Sequence, residues 1–144
     1  MNKILISGSP DSELKQICKD LSDQYNKSFI EQDYNKAFNL IHNYPFPMYD
    51  QLIVDGPGYE LKDSFTENIY ENYDVVYVNL LSLNIIAEAV MNDFNRLILL
   101  KDIKEGHRLR GTVAFSMQNF KHNLAVDLDN FESVKDEMES FWKN

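Results

Sequence analysis

Apolar residues enter this chain in short runs, and amphipathic stretches of helical period lie between the runs. Lys3 to Ser7 (KILIS) is an unbroken apolar segment that stops at Gly8-Ser9-Pro10. A run of that length, closed by a turn, predicts a strand buried on both faces. Leu14, Ile17, Cys18 and Leu21 then fall on one helical face, with Ser9 as the expected cap and Pro10 at the first helical position, where a missing N–H costs nothing. Ser28 to Glu31 predicts a second strand, and Asp33 can cap a helix over Tyr34 to His42. Tyr44-Pro-Phe-Pro-Met-Tyr49 is a loop, because two prolines two positions apart forbid regular hydrogen bonding.

The same alternation continues. Gln51 to Asp55 (QLIVD) predicts a third strand, closed by Gly56-Pro57-Gly58. Ser64 and Glu67 have capping-box spacing and open a helix to about Asn72. Asp74 to Asn79 predicts a fourth strand, Leu83 to Leu100 a long buried helix, and Thr112 to Ser116 a fifth strand. Asp129 and Glu132 again have capping-box spacing, ahead of a last helix with Phe131, Val134, Met138 and Phe141 as its stripe. Short apolar strands alternating with helices predict an α/β fold, a three-layer α/β/α arrangement on a five-stranded, mainly parallel sheet. No linker, repeat or low-complexity tract divides residues 1–144, so one α/β domain is expected.

Composition narrows the function. The 144 residues hold 14 Lys and Arg against 23 Asp and Glu, a formal net charge of -9, which opposes broad attraction to nucleic acid or anionic lipid. No apolar run reaches the length needed to span a bilayer, and the first apolar tetrad is too short for a secretory signal, so a cytoplasmic protein is expected. One cysteine, Cys18, and three scattered histidines offer neither a disulfide nor a metal site. No hydrolase, zincin or dinucleotide motif is present, and no catalytic residue, metal or cofactor is assigned.

In a parallel sheet, ligands lie beyond the carboxyl ends of the strands, which directs attention to Gly8-Ser-Pro-Asp-Ser-Glu-Leu-Lys15. Against the phosphate-loop pattern G-x-x-x-x-G-K-[ST], only the first glycine survives. Glu13 replaces the second glycine, Leu14 the lysine and Lys15 the magnesium-binding hydroxyl, while Asp11 adds negative charge. Lys15 could serve only by shifting one place, and successive helix positions point about 100° apart. Gly8 and Lys15, with Asp55 at the end of the third predicted strand, are what remains of a nucleotide-binding set.

These segments resemble the ParA/MinD-type P-loop ATPases of plasmid partition and division-site placement. Lys3 to Leu21 occupies the place of that family's first strand, phosphate loop and helix. Glu31-Gln32-Asp33 resembles its acidic second-strand end, and Tyr49 to Gly58 is similar to its "DYVIIDTPPG" segment. Tyr73 to Val78 is similar to "ADxVxxV", and Gly111 to Ser116 to the "GVVxN" strand. The resemblance implies a small, degenerate relative lacking an intact Walker A motif, one that positions plasmid, phage or chromosomal DNA or assists its transfer. A weaker resemblance is to two-component receiver domains, with Asp55 as phosphoacceptor, Ser82 as the hydroxyl residue and Lys121 as the lysine that meets the phosphoryl group. Their acidic pair is replaced here by Ser7-Gly8-Ser9.

Two surfaces remain for a protein partner. Lys101, Lys104, Arg108 and Arg110 fall within ten positions, interleaved with Asp102 and Glu105, for a local net charge of about +2. Lys104, Arg108 and Arg110 are the residues expected to steer an acidic protein, with DNA binding weak at most. Phe46 and Tyr49 in the Pro-rich loop supply the aromatic composition seen at interfaces.

Overall fold

A computed structural model describes residues 2–32, 69–79, 81, 83–100 and 117–143. Strand β1 (Ile4–Ser7) is followed by helix α1 (Glu13–Gln24) and β2 (Phe29–Gln32). Helix α2 (Ile69–Asn72), β3 (Val75–Val78), α3 (Leu83–Met91) and β4 (Arg96–Leu100) come next. A 3₁₀ turn (Met117–Asn119), β5 (His122–Val126) and α4 (Phe131–Ser140) complete the described elements. The strands form one five-stranded sheet in the order β2-β3-β1-β4-β5, and every pairing is parallel.

β1 lies at the centre, with Ile4 opposite Val75 on one side and Arg96 on the other. Its residues are buried throughout, and alternate side chains enter different cores. Ile4 and Ile6 join Val75, Tyr77, Ile98, Leu100 and Val126 under α1 and α4, which contribute Leu14, Cys18 and Met138 beside the following Phe141 and Trp142. Leu5 joins Val76, Val78 and Leu97 on the opposite face, under Tyr70 of α2 and Ile85, Ile86 and Ala89 of α3. Both faces are therefore covered by helices, which is why the central strands read as continuous apolar runs rather than alternating ones.

Several boundaries differ from the sequence expectation. The cap of α1 is Ser12, whose hydroxyl accepts from Leu14 N at 3.2 Å, and not Ser9. Ser9 instead closes a tight turn, its carbonyl accepting from Ser12 N at 3.1 Å. The helix expected over Leu83 to Leu100 ends at Met91, and Arg96–Leu100 is a central strand. Asp93 takes a left-handed conformation (φ 68) and Phe94 N returns to Ala89 O at 3.0 Å, closing the helix before the apolar run begins. The run Arg-Leu-Ile-Leu-Leu has no polar alternation because the strand is sandwiched, and such a run fits a buried helix equally well. β5 lies outside the sequence expectation: two of its five residues are exposed at the sheet edge, so its apolar signal is weak. α4 starts at Phe131 with Asn130 in the cap position; Asp127 and Asn130 exchange two backbone-to-side-chain bonds of 2.8 Å just before it. The strands expected at Gln51 to Asp55 and Thr112 to Ser116 lie outside the described residues.

The chain's two ends meet at the amino edge of the sheet. Asn2 Nδ2 donates to Lys143 O at 2.6 Å and to Phe141 O at 3.3 Å. Trp142, fully buried, donates its indole N–H to Ser22 Oγ of α1 at 2.9 Å, and Ser22 in turn donates to Cys18 O at 2.8 Å. Tyr25 donates to Glu139 Oε1 at 2.6 Å on the rim of the same contact. Lys3 and buried Lys27 donate to Tyr70 O and Asn2 O, and burial holds both amines below their ordinary range.

Candidate functional site

The chain leaves β1 through α1 toward β2 on one face, and leaves β3 through α3 toward β4 on the other. The two connections part at the carboxyl ends of β1 and β3, the kind of crevice where open parallel sheets place ligands. Gly8, Ser9, Ser12, Lys15, Glu31 and Tyr77 come together there.

Gly8 extends the sheet by one bond, its N–H donating to Val78 O at 3.1 Å. A Cβ at this position would lie 2.5 Å from Tyr77 Oη and 2.9 Å from Leu100 Cβ. Glycine is thus required for space, because the tyrosine hydroxyl fills the volume a side chain would take. Tyr77 is buried in the α1 and α4 core and donates to Ser9 O at 2.6 Å. A buried tyrosine needs a partner for its hydroxyl, and here the turn after β1 provides it.

Four further backbone donors of the turn are directed inward. Asp11 N meets Ser9 Oγ at 3.3 Å, Ser12 N meets Ser9 O, Leu14 N meets Ser12 Oγ and Lys15 N meets Ser12 O at 3.2 Å. Pro10 contributes no N–H at all. A phosphate nest needs successive N–H groups converging on one point outside the loop, and these five amides, counting Gly8, converge on protein oxygens.

Lys15 is likewise engaged. Its ammonium makes an ion pair of 2.7 Å with Glu31 Oε2 at the end of β2, donates to Pro10 O, and stands 5.8 Å from the centre of the Tyr77 ring. The side chain therefore bridges α1, the turn and β2. Gly8 and Lys15, singled out from the sequence as the remainder of a nucleotide set, do share one end of the sheet, with Tyr77 standing between them. Neither Tyr77 nor the pairing of Glu31 with Lys15 was singled out. The available signal was a tyrosine inside an otherwise apolar buried strand, a polar tip that had to reach something.

Asp55, Phe46, Tyr49, Lys104, Arg108 and Arg110 lie outside the described residues, and so does Ser82. Lys121 is exposed and directly precedes β5, which puts it at the amino edge of a parallel sheet, away from the crevice. Cys18, on the inner face of α1, is fully buried, and burial pushes its thiol well above the usual range, as befits a small core residue. Among the described residues no cluster of His, Cys, Asp or Glu could hold a metal ion, and no helix is long and apolar enough to cross a membrane.

No family model matches the chain. A curated protein with a partial likeness is the glycine--tRNA ligase beta subunit of Rickettsia felis (strain ATCC VR-1525 / URRWXCal2), 32% identical over 78 residues. Those residues are 50% of this chain and 12% of that subunit, so the likeness joins half of the chain to a small part of a much longer protein.

Proposed function

We propose that this chain is a non-catalytic, macromolecule-binding or regulatory protein on a reduced ParA/MinD-like P-loop fold, an accessory of plasmid, phage or chromosome positioning or of DNA transfer. The observation that carries the non-catalytic part is the closed turn after β1. Tyr77 Oη occupies the space beside Gly8 and holds Ser9 O, while Lys15 is committed to Glu31. Binding a nucleoside triphosphate there would require breaking both contacts and turning the turn's amides outward against the charge of Asp11 and Glu13. Each charge-assisted contact missing from the motif is worth about 1.5–3 kcal/mol, so the loss of two lowers affinity by orders of magnitude. Titration calorimetry with Mg-ATP and with Mg-GTP is expected to give no binding heat. A micromolar dissociation constant for either would overturn the reading and restore a nucleotide enzyme.

The receiver-like alternative draws less support. Receivers order their strands 2-1-3-4-5, which sets the strand bearing the phosphoacceptor beside the first. Here both sides of β1 are taken, by Val75–Val78 and Arg96–Leu100, and Lys121 stands at the opposite edge from the crevice. A role with tRNA, suggested only by the name of the partly similar ligase subunit, gains nothing from a chain of net charge -9.

For the partner, the charge pattern favours an acidic protein met by Lys104, Arg108 and Arg110, in the segment that follows the carboxyl end of β4. An Arg108→Glu/Arg110→Glu variant should keep the wild-type circular dichroism and melting temperature and lose the partner captured by wild type. The association rate of that pair should fall steeply with salt, since exposed charges are screened over about 10 Å at 0.1 M. Undiminished binding by the folded variant would remove this surface and turn attention to Phe46 and Tyr49.

A further inference from the structure

We draw no further inference here: the strongest candidate, the acidic outer surface of α1 and α4 with exposed Asp20, Asp23, Asp136 and Glu137, is a cluster of carboxylates and nothing in the structure shows what covers it.

Discussion

Replacing Gly8 by alanine tests the closed turn directly, because the added methyl meets two buried groups at once. Its Cβ would sit 2.5 Å from Tyr77 Oη and 2.9 Å from Leu100 Cβ, both well inside normal contact distance. Tyr77 and Leu100 belong to the core under α1 and α4, so neither can swing into solvent to make room. Overpacking of this kind costs about 1–3 kcal/mol, and displacement of the tyrosine would add up to about 1–3 kcal/mol for a buried hydroxyl and carbonyl parted from each other. Tyr77→Phe alone removes the 2.6 Å bond to Ser9 O at a cost of about 1–2 kcal/mol. In the double variant the phenyl ring has no oxygen to collide with the new methyl, leaving Leu100 as the residual clash. The double variant should therefore be more stable than the sum of the single losses predicts, with a coupling of about 1 kcal/mol or more. Urea unfolding of the four proteins, compared by midpoint at constant m value, measures the cycle. The reasoning is refuted if Gly8→Ala is neutral or stabilises by about 0.4–1 kcal/mol, as at a glycine with open space around it, or if the two losses simply add.

Two other substitutions bear on the amino edge of the sheet, opposite the crevice. Asp93 closes α3 in a left-handed conformation, φ 68, that costs a non-glycine residue about 1–2 kcal/mol, so Asp93→Gly should raise the urea midpoint by an amount worth up to about 1 kcal/mol once glycine's unfolded-state freedom is counted; a lower midpoint would show that the carboxylate contributes more than the strain. Tyr25 donates to Glu139, and this hydrogen bond, followed by burial and the carboxylate's charge, raises its pKa above the ordinary 10.0. Its neutral form is favoured in the folded protein, so its contribution is complete below the unfolded pKa and is lost as pH rises through the folded one. Tyr25→Phe should therefore flatten the decline of melting temperature as pH rises above 10.0, and an unchanged slope would exclude this contact as its source.

The legible parts of the fold are those where one force dominates. Ile4 to Ser7 and Val75 to Val78 are short, predominantly apolar and followed by turns or caps, and burial on both faces leaves little else for them to be. Arg96 to Leu100 is equally apolar but follows an amphipathic helix with only Asn92 to Asn95 between, and neither proline nor glycine marks the break. The stop comes from Asp93 in a conformation that asparagine and aspartate visit only occasionally, a weak signal in a single sequence. His122 to Val126 was hidden for the opposite reason, since an edge strand need bury only part of itself. At the crevice, the departure of Glu13 and Leu14 from the phosphate-loop pattern could be read from the sequence. The contact that closes the turn could not, because Tyr77 reaches Ser9 from a neighbouring strand far along the chain, and such a contact leaves no local pattern.

The place of β1 in the sheet also sets a schedule for the nascent chain. β1 is synthesised before both of its partners: Ile4 to Ser7 must wait for Val75 to Val78 on one side and for Arg96 to Leu99 on the other. Until Leu100 has left the ribosome, a strand that is entirely buried in the finished protein can be neither fully paired nor fully covered. Domains dominated by such long-range parallel pairings close their loops slowly, and their unpaired apolar edges are open to association with other chains meanwhile. Lys3 before the strand and the charged residues of α1 after it flank the waiting run, the kind of placement that opposes association of an exposed apolar strand.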